Sequence, residues 1–383
     1  MKTLILSCNA GAGHNSCALA IKEAYHAHGE TCDIVDALQF ISERASRFVS
    51  NWHTRIYRHA PKVFGAGYRR AEAHEDAFRE GTPLYKIISS GAERMYEYIL
   101  DGEYDNIICT HVFPALALTE MRKRHDCPQL IMSYVSTDYT CSPSTADSSL
   151  DWYFIPSPLL ADEFSGQGIP EEKLVASGMP VKEIFYRRIP LEEGKTALGI
   201  DPTHRHILMM CGSMGCGPMK RLARQITCRM GPEVTLSIVC GTNHRLFRRL
   251  THRYRADRRV QVLGYVEDMS ALMDSAEVCL TKPGGISTTE AAVKALPMVL
   301  INAVSGCERY NLSYFTALGG AKTGAGVKDL ARTALALLNS PEEQQKMRAS
   351  LAPMGERNAA EIIYTQMKKL VEQKENENPA SCC

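Results

Sequence analysis

The chain has 383 residues, with 44 Lys and Arg against 43 Asp and Glu, a net charge of +1, and 45% hydrophobic residues. That length exceeds one typical core and fits two domains, the composition is globular rather than disordered, and the balanced charge gives nucleic-acid binding no support. No apolar run of about 18 residues exists to make a membrane-crossing helix, and the fourteen cysteines, with no CxxC pair, read as reduced, buried thiols of a cytosolic protein.

The first predicted strand is Lys2 to Ser7, followed by the loop Cys8-Asn9-Ala10-Gly11-Ala12-Gly13 and a helical pattern from His14. No Gly-Lys-Ser/Thr follows, which excludes a P-loop. Against the dinucleotide fingerprint, position 16 is Ser and Asp33 and Asp36 follow on the next strand, so a nicotinamide-type site stays open. His14 is a candidate base, because the positive end of a helix disfavours a charged ring; the alternative is a histidine that only caps the helix or lines a cleft.

Between Arg44 and Arg70 no acidic residue occurs, and Arg55, Arg58, Lys62, Arg69 and Arg70 are interleaved with Trp52, Tyr57 and Phe64. This mixture suits the headgroup region of an anionic bilayer. Single-stranded nucleic acid uses the same ingredients, but no basic track continues along the chain, and a solvated, partly buried helix is the plain alternative. Strands over 106–110, 130–136 and 152–156 follow, with a helix over 115–124, and polar residues collect at their ends as Thr110-His111 and Thr137-Asp138. Ligands bind at that edge of open α/β sheets, so Asp138 is a candidate acid, base or orienter, with a capping role as the alternative.

Residues 187–205, polar with Pro190 and Pro202, read as a linker. A second α/β series runs from His206 to Cys211 into Gly212-Ser213-Met214-Gly215, then 234–239 into Cys240-Gly241-Thr242-Asn243, then 260–263 into Gly264-Tyr265-Val266. The strand 278–281 leads to Lys282-Pro283-Gly284-Gly285-Ile286-Ser287-Thr288-Thr289-Glu290, and 298–302 precedes Cys307-Glu308-Arg309-Tyr310-Asn311. At Gly284-Gly285, unpaired N–H groups and the helix dipole make a place for a phosphate, while Glu290 could accept hydrogen bonds from a sugar diol. An ordinary turn with Glu290 stabilising the helix start is the alternative. Two series of this kind predict two Rossmann-like domains facing across a cleft, with a nucleotide-linked donor on one side and an acceptor on the other.

The runs Asn9 to His14, Val262 to Val266, Lys282 to Gly285 with Glu290-Ala291, and Pro297 to Leu300 ahead of Glu308 and Asn311 occur in this order. In them the chain, from the first strand to about residue 350, resembles the monogalactosyldiacylglycerol synthase and processive diacylglycerol glucosyltransferase family. The resemblance implies a GT-B fold, with an acceptor and membrane-facing domain over 1–186, the linker 187–205 and a nucleotide-sugar domain over 206–355. A helix over 356–374 would return to the N-terminal domain, ahead of a disordered tail over 375–383. The implied activity is inverting transfer of glucose or galactose from a UDP-sugar to a diacylglycerol-type lipid, at the cytoplasmic face of an anionic membrane, without metal or other cofactor and without nucleic acid.

Carried over by position, Gly284, Gly285 and Ser287 would face the diphosphate, Glu290 the ribose and Val266 the uracil, with Gly212 and Ser213 near the phosphates. Glu308 and Asn311 would approach the sugar or the diphosphate. Gly13, Gly241, Asn243, Gly264, Tyr265, Lys282 and Thr288 complete the expected donor set. His14 would be the base, Asp138 a second candidate, and Trp52, Arg55, Tyr57, Arg58, Lys62, Phe64, Arg69 and Arg70 the membrane contacts. Cys307 stands where the family usually has Gln, and Ser142 where a His commonly follows the Thr-Asp-aromatic triplet. Rival readings are N-acetylglucosaminyl transfer to a lipid-linked peptidoglycan precursor, a soluble UDP-sugar epimerase of the same fold, a UDP-sugar sensor and a nicotinamide oxidoreductase.

Overall fold

The computed structural model describes residues 1–8, 12–42, 80–301 and 306–377. Loop residues 9–11 and all eight expected membrane contacts between Trp52 and Arg70 lie outside the described residues. The chain divides into two compact units, Met1–Glu183 with the segment from Asn358 onward, and Ile184–Arg357.

The first unit is a six-stranded parallel sheet of β1 (Lys2–Ser7), β2 (Thr31–Asp36), β3 (Asn106–Cys109), β4 (Ile131–Val135), β5 (Trp152–Ile155) and β6 (Leu174–Ala176), in the order β2-β1-β3-β4-β5-β6. Leu4, Ile5 and Leu6 are buried in succession rather than alternately, as expected of a parallel strand covered on both faces. Helices α1 (Ala12–Ala27) and α2 (Val112–Arg124) follow β1 and β3.

The second unit repeats the plan with β7 (Arg205–Met210), β8 (Val234–Val239), β9 (Val260–Leu263), β10 (Val278–Thr281), β11 (Met298–Leu300) and β12 (Ala321–Lys322), in the order β12-β11-β10-β7-β8-β9. Here α3 (Met219–Thr227) follows β7, α4 (His244–Tyr254) follows β8, α5 (Gly285–Val293) follows β10 and α6 (Cys307–Ala317) follows β11. The stretch expected as a linker is built into this unit instead. Leu191–Ala197 is helical, and buried Lys195 pairs with Glu277 at 2.6 Å, so its polar residues neutralise buried partners.

The last helix, α7 (Ala359–Glu377), belongs to the first unit and packs on α1, with Tyr364 edge-on to Tyr25 at 5.1 Å and stacked on His28 at 4.0 Å. It runs three residues into the stretch expected to be disordered, because Lys374 donates to the carbonyls of Pro128 (2.6 Å) and Leu130 (3.0 Å) and anchors the final turn.

Fully buried His206 at the start of β7 has Nδ1 2.9 Å from the Ser275 carbonyl and Nε2 2.8 Å from the Ser237 hydroxyl. Burial pushes its pKa down from 6.5 to about 4. The unfolded chain therefore binds the extra proton between these values, and stability that is complete above pH 6.5 is lost as the pH falls toward 4, by about 3 kcal/mol at most. Urea titrations of a His206→Gln variant are expected to give a flatter stability profile over that window.

Candidate functional site

In the first unit the chain leaves β1 for β2 on one side and returns to β3 on the other, so the topological switch point lies between β1 and β3. Ligands of open α/β sheets bind at the carboxyl ends of strands at such a point. His14 stands there, in the first turn of α1, with Gly13 beside it. Its Nδ1 lies 2.7 Å from the carbonyl of Thr110, just past β3, and 3.0 Å from the hydroxyl of Thr137, just past β4. A carbonyl only accepts, so the hydrogen bond assigns the ring hydrogen to Nδ1 and the basic lone pair of the neutral imidazole to Nε2.

His111 lies edge-on to His14 with ring centroids 4.6 Å apart, and its own Nδ1 accepts the Phe113 N–H at 3.1 Å as the cap of α2. The two rings thus carry their hydrogens on opposite nitrogens. The loop bearing half-buried Asp138 is pinned from both sides: the Ser136 hydroxyl donates to the Asp138 carbonyl (2.9 Å), Tyr139 is buried, and the Thr140 hydroxyl and Cys141 N–H donate to Glu163 (2.5 and 2.7 Å). That anchoring sets the position of Thr137 against His14.

In the second unit the switch point falls between β7 and β10. The Lys282 side chain lies directly over Gly212, where φ is +65° and a Cβ would come within 2.7 Å of Lys282 Cε. The positive φ favours glycine, and with no Cβ there the lysine side chain can lie against the backbone. The Lys282 ammonium is 3.1 Å from Glu308 Oε1 in the first turn of α6, and buried Asn311 donates to the Pro283 carbonyl at 3.0 Å. One helix therefore braces the turn through two side chains.

Gly284 is the N-cap of α5 and, as a glycine, has no capping side chain of its own; the first N–H groups of a helix are suited to an anion. Ser287 and Glu290 are half-buried within the first turns of α5. Thr288 differs from its expected donor role: it is buried, and its hydroxyl donates to the carbonyls of Gly284 (2.9 Å) and Gly285 (3.0 Å), turned onto its own helix.

Gly241 and Asn243 lock two loops together. A Cβ at Gly241 (φ +55°) would run into the Ser213 carbonyl, and that carbonyl accepts the Thr242 N–H at 2.8 Å. The Asn243 amide donates to the Gly215 carbonyl (3.1 Å) while its oxygen caps α4 at Leu246 N–H (3.0 Å). The Gly241 N–H meets the Gly264 carbonyl at 3.1 Å, and beyond it Val266 is half-buried and Tyr265 is 66% exposed.

The structure thus gathers Gly212, Lys282, Gly284, Glu308 and Asn311 at one edge and His14, Thr110, His111 and Thr137 at another. Sequence reasoning missed the pairing of Lys282 with Glu308 and the neighbourhood of His111. The visible signal for His111 was its position directly after a buried strand.

Residues 206–370 match the glycosyltransferase family 28 C-terminal domain, and residues 14–181 match the monogalactosyldiacylglycerol (MGDG) synthase family. Among solved structures, Acinetobacter baumannii MurG aligns with a TM-score of 0.65 at 13% identity, over 96% of this chain and 100% of that one. UDP-GlcNAc 2-epimerase from Neisseria meningitidis, bound to UDP-GlcNAc, aligns with a TM-score of 0.62 at 14% identity, over 96% of this chain and 100% of that one. The fold is GT-B. Processive diacylglycerol beta-glucosyltransferase of Staphylococcus saprophyticus is 27% identical over 278 residues, which are 73% of this chain and 69% of that one. The chain is a glycosyltransferase, whose first part matches the monogalactosyldiacylglycerol synthase family and whose second part matches the glycosyltransferase family 28 C-terminal domain.

Proposed function

We propose that this protein transfers a hexose from a UDP-sugar to the hydroxyl of a diacylglycerol-type lipid, with inversion at the anomeric carbon. The observation that carries the reading is the fixed tautomer of His14, whose Nδ1–H is directed at the Thr110 carbonyl and whose Nε2 is the basic nitrogen. Nε2 takes the proton of the acceptor hydroxyl as its oxygen bonds to the anomeric carbon. The bond from that carbon to the diphosphate breaks, and UDP leaves with the electron pair. One displacement gives one inversion. The contacts of Nδ1 with Thr110 and Thr137 hold the ring while it carries the proton.

The second unit supplies the leaving-group side. Lys282 and the start of α5, at Gly284, Gly285 and Ser287, stabilise negative charge on the departing diphosphate, so the step as written needs no metal. Glu290 accepts hydrogen bonds from the ribose, Val266 meets the uracil through its backbone, and Glu308 and Asn311 approach the sugar or the diphosphate. Docking on an anionic membrane through the basic aromatic residues between 44 and 70 belongs to the same reading. The UDP-sugar donor and the diacylglycerol acceptor are supported by relatives named processive diacylglycerol beta-glucosyltransferases and by a UDP-bound neighbour of the same fold.

The test is incubation of the purified protein with UDP-glucose, UDP-galactose or UDP-N-acetylglucosamine, with and without diacylglycerol, and mass spectrometry of the products. A hexosyl-diacylglycerol from one of the first two donors is expected. Conversion of UDP-N-acetylglucosamine with no lipid product would overturn the reading in favour of an epimerase.

A further inference from the structure

A basic depression lies in the second unit, on the β7/β8 side rather than at the β7/β10 switch point. The loop residues Gly215 and Gly217, with Asn243 at the start of α4, line a space of about 400 Å³ together with Lys220, Arg221, Arg245 and Arg249. No acidic side chain lines it. All four cations are exposed, and none is held in an ion pair among the described residues.

Their placement works against local stability. Lys220 and Arg221 are the second and third residues of α3, Arg245 is the second of α4, and neither helix has an acidic residue in its first turn. Cations at the positive end of a helix are unfavourable, and like charges crowded around one hollow repel. Arg249 follows Arg245 by four residues on the same helix, so those two repel directly. A multiply charged anion in the depression would attract all four cations and both helix N-termini and so offset these repulsions. Three guanidinium forks match the oxygens of a phosphate ester, which they can grip in bidentate fashion.

The lining of the depression shares no residue with the donor turn of Lys282, Gly284 and Gly285. Asn243 ties Gly215 to the start of α4, whereas Lys282 lies over Gly212, earlier in the same loop. We propose that this depression binds a phosphate-ester anion, supplied by the headgroup of an anionic lipid or by a free phosphate compound, at a site separate from the UDP-sugar turn.

The experiment compares the full chain with its Arg245→Glu/Arg249→Glu variant. Three probes are used: phosphatidylcholine vesicles with and without phosphatidylglycerol, sn-glycerol 3-phosphate, and UDP. The variant is expected to bind one of the first two probes at least about tenfold more weakly, with UDP affinity unchanged. Loss confined to phosphatidylglycerol vesicles assigns the lipid source, and loss toward sn-glycerol 3-phosphate assigns the free compound. A control of equal charge change on exposed helical positions, Lys328→Glu/Lys346→Glu, is expected to keep full binding. Equal binding by parent and variant on both phosphate probes would overturn the proposal. So would an equal loss in the control, or a parallel loss of UDP affinity. If the first variant does not fold, Lys220→Gln/Arg221→Gln replaces it with the same outcomes.

Discussion

The His14→Ala protein is expected to bind UDP as the parent does and to transfer sugar about a hundred- to ten-thousandfold more slowly, the range over which a positioned base acts. The separation of effects follows from the architecture. His14 sits in the first unit, held by Thr110 and Thr137, while the turn proposed to hold the diphosphate lies in the second unit, around Lys282 and Gly284. Turnover measured at saturating donor, with UDP affinity measured by calorimetry, checks both halves. Unchanged turnover would remove His14 as the base. Because its Nδ1 is directed at a carbonyl, an asparagine or glutamine at this position can keep a polar contact but cannot accept the proton, so His14→Gln is expected to be as slow as the alanine variant.

Lys282→Ala is expected to weaken UDP binding about ten- to a hundredfold, the range of a charge-assisted hydrogen bond. Two effects add. The ammonium is lost from beside the start of α5, and Glu308, only 9% exposed, keeps a carboxylate without the cation 3.1 Å away, next to the turn proposed to hold the diphosphate. The second effect is separable, because Lys282→Ala/Glu308→Gln removes the stranded charge. The double variant is expected to bind UDP more tightly than Lys282→Ala alone, and a double-mutant cycle reads the coupling. Equal affinity in the parent and Lys282→Ala would place the diphosphate elsewhere.

Much of this was legible in the chain. The glycine turns after apolar runs, the polar residues at strand ends and the helical start at His14 mark local chemistry, and local chemistry is what spacing reveals. What spacing does not reveal is how side chains are used once distant segments meet. Asn243 reads as a donor-site residue, yet its amide joins Gly215 to the start of α4. Thr288 reads as a member of the donor set, yet a hydroxyl inside a helix can return to carbonyls one turn back, and it does so. The pairing of Lys282 with Glu308 spans 26 positions and depends on α6 lying beside the turn. The polar segment 187–205 resembled a linker because buried ion pairs such as Lys195 with Glu277 look solvent-seeking in a sequence. Edge strands as short as Leu174–Ala176 and Ala321–Lys322 are too brief to leave a period.

The central claim is a single displacement at the anomeric carbon, with His14 taking the proton from a diacylglycerol hydroxyl. NMR of the glycolipid made from UDP-glucose or UDP-galactose, whose sugars are α-linked, reports this directly through the anomeric proton. A β-linked hexosyl-diacylglycerol is the predicted product, and an α-linked product would contradict the account.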